Sequence, residues 1–114
     1  MAEGGYKAGM SMVILQGSFV LKPEDRDRFI TASEEGMRDS RQEEGCLEYV
    51  MAADPLDPGR VVLSERWESA EHLQRHMERL TARRSEAAPG ATRPTPVSQE
   101  VTVFDVAGWR SLGV

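Results

Sequence analysis

The segment that most constrains the fold is a strand-like run that leads directly into a helical segment. Residues 61–67 alternate apolar and polar side chains, which is the pattern of a strand with one buried face. Ser69 follows as a candidate N-cap, and the residues after it have helical period. Because Trp67 closes the strand and His76 lies about two turns into the helix, we predict that both side chains approach the same cavity.

Similar patterns along the rest of the chain predict the element order β-α-β-β-α-β. Further strands are expected at residues 12–20, 46–53 and 98–106, and a first helix from Pro23 to about Glu43, with Gly45 as its C-cap. Residues 54–59 are rich in Asp, Pro and Gly, which indicates a hairpin loop between two strands. This order predicts a ferredoxin-like α+β fold, with both helices on one face of a four-stranded antiparallel sheet.

The helical stripes predict which faces are buried. The first helix presents one stripe, made of Phe29, Ile30, Ser33, Met37 and Ser40. The second presents another, made of Ala70, Leu73, Met77 and Leu80. Gly17 lies inside the first strand, which indicates a bulge or a close approach by backbone or ligand.

The distribution of residue types predicts one domain over residues 11–107. We expect a flexible N-terminus at residues 1–10, an irregular loop at residues 81–97, and a C-terminal tail at residues 108–114. The part that reads as ordered is short, so a single chain would have a thin core. We therefore expect the chain to oligomerise.

Charge and composition argue against several classes of partner. The net charge is −5 with both signs interspersed, which disfavours nucleic acid and anionic membranes. No apolar run reaches the roughly 18 residues of a membrane span, and the single cysteine, Cys46, fits a cytoplasmic protein. His72 and His76 share a helix side, but no third ligand accompanies them and we expect them on a solvated face. Neither a metal nor a nucleotide cofactor is predicted.

Three short motifs carry a resemblance to a known family. Residues 44–49 read Glu-Gly-Cys-Leu-Glu-Tyr, residues 65–67 read Glu-Arg-Trp, and His76 stands nine positions after the tryptophan. In these positions the chain resembles the antibiotic biosynthesis monooxygenase family, which includes quinol monooxygenases. The resemblance implies a homodimeric α+β barrel with a pocket between each sheet and its helices. It also implies oxidation of polycyclic or quinol-type aromatics by molecular oxygen without metal, flavin or haem.

Such chemistry needs a site that binds a flat ring and stabilises its anion. We predict His76 as the base or anion stabiliser, Trp67 as the group that stacks on the ring, and Tyr49 as the group that orients the substrate. The predicted substrate-binding residues are Phe19, Phe29, Met37, Met51, Glu65 and Leu73. The catalytic candidates have structural alternatives. Trp67 could fill the core or the dimer interface, Tyr49 could pack on its strand with the hydroxyl at the edge, and His76 could be a hydrogen-bonded boundary histidine. For Glu65 the preferred alternative is an ion pair with an arginine of a neighbouring strand or of the partner.

One departure from the family keeps a second function open. The chain contains no Asn, whereas some family monooxygenases and the related haem-degrading enzymes rely on one. Leu63 stands where some members carry it, which disfavours haem degradation. The alternative is a non-catalytic or isomerase-like or cyclase-like module that binds an aromatic ligand on the same barrel, and the sequence does not identify the ligand.

Overall fold

The computed structural model describes residues 11–86 and 93–113 and confirms the predicted fold class. The elements follow in the order β1 (Val13–Val20), α1 (Pro23–Arg41), β2 (Cys46–Ala53), β3 (Arg60–Trp67), α2 (Ala70–Glu86) and β4 (Ser98–Asp105). The four strands form one antiparallel sheet in the order β2-β3-β1-β4. The helices lie on one face of this sheet, as in other ferredoxin-like folds.

The inner face of the sheet, which the helices cover, carries the core. In β3 every second residue from Val61 to Trp67 is buried, and β1 buries Val13, Leu15 and Phe19 on the same face. This alternation confirms the strand periods read from the sequence. The resulting core is small, and its buried apolar residues are Val13, Leu15, Phe19, Leu21, Phe29, Tyr49, Val61, Leu63 and Trp67.

Helix α1 begins and ends with clear local signals. Pro23 occupies its first turn with two acids behind it, and two arginines lie in its last turn, which suits the helix dipole. The helix ends at Arg41, slightly earlier than predicted, and its C-cap is Gln42 rather than the predicted Gly45. Gly45 instead lies in the turn before β2, where its φ is 83°. That left-handed conformation favours glycine. The early end releases Glu43 from the helix and turns its side chain inward.

Helix α2 departs from the predicted stripe. Its buried residues are His72 and His76, whereas Ala70 is exposed and Met77 is 43% exposed. The expectation that the histidines face solvent is therefore wrong, and Ala70 and Met77 do not belong to a packed core. Only the first turns of α2 press against the sheet, where Leu73 packs beside Trp67.

Part of the range predicted to be irregular is helical. Residues 81–86 continue α2, because Ala, Arg and Glu favour helix and no proline interrupts the segment between the start of α2 and Pro89. The Thr81 and Ser85 hydroxyls bond back to carbonyls one turn earlier. The limits of β2 match those predicted, and each of the other strands differs from its prediction by one residue at one end. The predicted flexible segment 1–10 and the middle of the predicted loop, 87–92, lie outside the described residues.

The outer face of the sheet has no helix over it. Its apolar side chains are partly exposed, with Phe104 exposed by 47%, and they are Ile14, Val20, Val50, Val62 and Phe104. Arg66 also points outward and donates to Glu48 at 3.0 Å, away from Glu65 as predicted.

Among the described residues, no helix is long and apolar enough to cross a membrane.

Gly17 allows β4 to pair closely with β1. A Cβ atom at this position would collide with the Glu100 carbonyl oxygen and lie 2.8 Å from the Val101 Cα atom, so the predicted close approach is made by backbone. We expect Gly17→Ala to lower the free energy of unfolding by about 1–3 kcal/mol, because backbone cannot yield as a side chain can. Urea denaturation measures this change.

Gly36→Ala is the matched control, since a Cβ at Gly36 in α1 meets nothing within 4 Å. This change should raise the free energy of unfolding by about 1 kcal/mol, because alanine favours helix. Equal effects of the two substitutions would contradict the account of the β1–β4 contact.

Candidate active site

A cavity of about 730 Å³ lies between the inner face of the sheet, α1 and the second half of α2. It exists because α2 is anchored through its first turns, while its later residues stand away from the sheet. Met77 and Leu80, predicted as core, instead line this space together with residues of the sheet. The volume falls within the range of small-molecule sites. Its apolar wall is made of Leu15, Phe19, Met37, Met51, Leu63, Met77, Leu80 and Val101.

A buried carboxylate lies in the cavity wall. Glu65 is only 4% exposed, lines the cavity, and accepts a hydrogen bond of 2.9 Å from the indole Nε1 of Trp67. Burial raises the pKa of Glu65, with a further contribution from Glu43, while the Trp67 hydrogen bond and the charge of His76 act in the opposite direction. No arginine among the described residues forms an ion pair with Glu65, so the ion pair preferred from the sequence is not made within the described part of the chain.

Tyr49 lies next to this carboxylate. The register places Tyr49 of β2 directly opposite Glu65 of β3 on the inner face, and Tyr49 also lines the cavity. Burial, followed by the charge of Glu65, raises the pKa of Tyr49 to about 12. The phenol therefore remains protonated at neutral pH and can donate a hydrogen bond to an oxygen atom bound in the cavity.

His76 lies behind the cavity wall, where it forms a buried pair with Glu43. Its Nδ1 donates to the Glu43 carboxylate at 3.1 and 3.2 Å, and both side chains are almost fully buried. The imidazole packs against the Trp67 indole with ring centroids 4.6 Å apart and the ring planes tilted by 34°, and it forms an edge contact with Tyr49 at 5.4 Å. Trp67 and His76 thus contact each other, and the expectation that both wall an open cavity is wrong.

The second histidine secures the start of α2. The Ser69 hydroxyl accepts from the backbone N–H of His72, which confirms Ser69 as the N-cap, and lies 2.7 Å from His72 Nδ1. The His72 ring fills the space above Gly45, where any Cβ would collide with it. This contact joins the start of α2 to the turn that carries Glu43.

The structure therefore divides the predicted site residues into two groups. Those that line the cavity are Phe19, Met37, Tyr49, Met51 and Glu65. Those that lie outside its lining are Phe29, Trp67, Leu73 and His76. Phe29, Trp67 and His76 are fully buried, so they support the wall from behind rather than forming its surface.

Three arginines at the cavity were not predicted, and one of them, Arg83, also approaches Glu43. Arg84 of α2 and Arg93, which precedes β4, both line the cavity. The Arg93 guanidinium lies 4.5 Å from the centroid of the Phe29 ring and donates to the Ser33 hydroxyl at 3.0 Å. Burial of this group lowers the pKa of Arg93; Tyr49 opposes that shift and Arg84 adds to it. An arginine remains protonated under such a shift.

Glu43 was also missed, and it had no distinguishing signal in the sequence. It reads as one of several acids at the end of a helix, and only the turn at Gly45 directs it toward His76. Arg79 and Arg83 approach the same carboxylate at 4.0 and 3.9 Å.

Within residues 11–86 and 93–113, no group of three or more His, Cys, Asp or Glu side chains could hold a metal ion.

Comparison with known sequences identifies a family. Residues 12–88 match the family described as antibiotic biosynthesis monooxygenase. The chain is also similar to YcnE of Bacillus subtilis (strain 168), provisionally named a monooxygenase, with 28% identity over 67 residues. That alignment covers 59% of this chain and 70% of YcnE.

Solved structures share the fold over most of their length. One from Chloroflexus aurantiacus J-10-fl, provisionally named an antibiotic biosynthesis monooxygenase, is 28% identical with a TM-score of 0.65. The match covers 90% of this chain and all of that one. A second, from Deinococcus radiodurans and named in the same way, is 18% identical with a TM-score of 0.67, covering 90% and 97%. The latter likeness shows the fold alone.

Removal of the Glu43 carboxylate should strongly destabilise the chain. Glu43→Ala leaves the buried His76 without its partner, and breaking a buried pair costs about 3 kcal/mol or more. Urea denaturation should show this loss. The control is Glu44→Ala, which removes the adjacent carboxylate, whose side chain is 84% exposed; its effect should stay within about 0.5 kcal/mol. Similar losses for both variants would contradict a special role for the buried pair.

Proposed function

Because the chain belongs to the antibiotic biosynthesis monooxygenase family, we propose that it is a cofactor-independent monooxygenase. Its substrate is a small aromatic or polycyclic phenol or quinol, and its oxidant is molecular oxygen. The observation that carries this proposal is the apolar cavity whose wall holds a buried carboxylate, Glu65, beside the Tyr49 hydroxyl. The same wall offers an apolar surface for the ring, a base for the phenolic proton and a hydrogen-bond donor for the oxygen that is left.

The cavity provides a binding surface for a flat ring. Phe19 and Leu63 come from the sheet and Met37 from α1, so apolar side chains face the space from two sides. Methionine side chains adapt to ligands of different outline. Burial of an aromatic ring against these groups excludes water from the reacting carbon, and it strengthens electrostatic interactions with the substrate.

Glu65 is proposed as the group that accepts the phenolic proton, with Tyr49 donating a hydrogen bond to the oxygen that is left. An electron-rich phenolate reacts with oxygen more readily than the neutral phenol does. A new carbon–oxygen bond replaces a C–H bond of the substrate and the O–O bond breaks. One oxygen atom stays in the product, and the other leaves as water, which takes the hydrogen of that C–H bond and the phenolic proton held by Glu65. The substrate supplies all the electrons, so no external reductant is needed.

His76 and Trp67 are proposed to act through Glu65. Trp67 donates to one carboxylate oxygen and fixes its direction, and the His76 ring packs against the Trp67 indole. Glu43 in turn holds His76 by its Nδ1. This chain of contacts would keep the base in place while the substrate binds, which is how rigid supporting contacts aid catalysis.

A homodimer is proposed to cover the outer face of the sheet. This face carries partly exposed apolar side chains and no helix, and an isolated chain of this length has a thin core. A second copy with the same face would bury both surfaces at once, as two-fold interfaces do. Each subunit would keep its own cavity on the opposite side of its sheet.

Oxygen consumption tests the proposed reaction. With a panel of naphthalene-type hydroquinones and anthrones, the chain should consume oxygen faster than buffer, and Glu65→Gln should lower the rate about 100-fold or more, since it removes the base. The rate should fall as the pH is lowered through the pKa of Glu65. Because burial raises that pKa from 4.5, the fall should begin at a higher pH than for an ordinary glutamate.

Glu34→Gln is the control for this assay, because it removes one carboxylate from an exposed position of α1 that does not line the cavity and should leave the rate unchanged. Thermal stabilisation by these aromatics without any oxygen uptake would contradict the monooxygenase and favour the aromatic-binding module. Unchanged turnover in Glu65→Gln would remove Glu65 from the mechanism.

The dimer predicts the mass in solution. Light scattering after size exclusion should give twice the chain mass of 12.7 kDa. Phe104→Glu places a charge on the outer face and should shift the mass toward the monomer. Leu56→Glu, on a loop residue that is 92% exposed, should leave the dimer intact. A monomeric wild-type chain would refute the barrel assembly.

A further inference from the structure

We propose that the cavity selects an aromatic substrate that carries a carboxylate, which Arg93 and Arg84 bind at the cavity mouth. This inference rests on the proposed function for the identity of the cavity, and it adds the substrate class. Three features of the described residues support it: the unpaired charge of the two arginines, the fixed position of Arg93, and the depth at which each polar group lies.

The first feature is the lack of an acidic partner for either arginine. Among the described residues, no carboxylate lies within 4.0 Å of Arg84 or Arg93, although six other ion pairs between an arginine and an acid are present. Residues 87–92, which connect α2 to Arg93, contain no Asp or Glu. Two cationic groups therefore border an apolar space without neutralisation by a side chain of the described protein.

The second feature is the position of the Arg93 guanidinium. The face of the Phe29 ring lies 4.5 Å from its Cζ atom, and the Ser33 hydroxyl accepts from its NH1. These contacts hold the group against α1 at the cavity wall and use one of its five N–H donors. The remaining donors have the planar fork that matches a carboxylate.

The third feature is the depth in the cavity at which each polar group lies. Glu65 and Tyr49 are 4% and 6% exposed, whereas Arg84 and Arg93 are exposed residues. A hydroxyl that reaches Glu65 and Tyr49 therefore points inward, and a carboxylate on the far side of the ring system lies against the arginines. A substrate with these two groups at opposite ends would be oriented by both.

The other charges around the cavity do not cancel this preference. Arg83 also lines the cavity but lies 3.9 Å from Glu43, so part of its charge is already matched. The residues of α2 that line the cavity include one acid, Glu86, which is exposed to solvent. Three arginines against this one glutamate leave the outer part of the cavity cationic.

Binding of a matched pair of ligands tests the inference without any turnover. The probes are a hydroxynaphthoate, with its groups at opposite ends of the ring system, and the corresponding neutral hydroxynaphthamide. Calorimetry with the full chain should show about tenfold tighter binding of the acid at low salt, as expected for a charge-assisted contact. The preference should shrink as ionic strength rises.

Substitutions assign the preference to particular side chains. Arg93→Gln should abolish it, Arg84→Gln should reduce it, and Arg93→Lys should retain part of it, because lysine keeps the charge without the fork. Arg75→Gln is the control, since Arg75 is an exposed arginine of the same helix that does not line the cavity. Thermal denaturation of each variant verifies that the fold is retained.

Several outcomes separate this inference from the proposed function. Tighter binding of the acid without oxygen uptake by the matching hydroquinone acids supports the inference and contradicts the monooxygenase. Equal binding and turnover of acidic and neutral hydroquinones overturns the inference and leaves the monooxygenase intact. A preference for the acid that survives both Arg93→Gln and Arg84→Gln also overturns it.

Discussion

The contact on which the rest of this structure depends is the buried pair of Glu43 and His76. It joins the turn after α1 to the middle of α2, and the stacked Trp67 ring joins both to the end of β3. Buried charges are costly unless they are paired, so this contact fixes α2 at one place on the sheet. The remainder of the helix is left to stand away from the sheet, and the cavity is the space that results.

The cavity combines features that packing alone does not explain. Its wall is largely apolar, yet it keeps a carboxylate in a position where burial raises its pKa. A carboxylate in such a place lowers the stability of the fold as it ionises. Perturbed acids inside clefts are characteristic of functional sites, and this cost is the physical reason for placing the chemistry at Glu65.

The position of Trp67 and His76 changes how the site is understood. Both rings are near the reacting region, but each is fully buried and neither forms the cavity surface. The resemblance of short motifs predicted that these residues belong together, and the structure brings them into contact. The cavity surface, however, is formed by the layer in front of them, which includes Tyr49 and Glu65. The distinction separates residues that line the cavity from those that hold the lining residues in place.

The sequence by itself determined the element order, the strand faces and the N-cap at Ser69, because these depend on local periodicity and on contacts between near neighbours. It also placed Glu65 and Trp67 on one face of β3, since alternation along a strand is fixed. Only the tertiary structure decided that Glu43 reaches His76, that Met77 lines a cavity rather than packing in the core, and that the Arg93 guanidinium packs over the Phe29 ring. Each of these depends on where one element lies against another distant in sequence, and a helical stripe does not reveal whether packed side chains or open space lies opposite it.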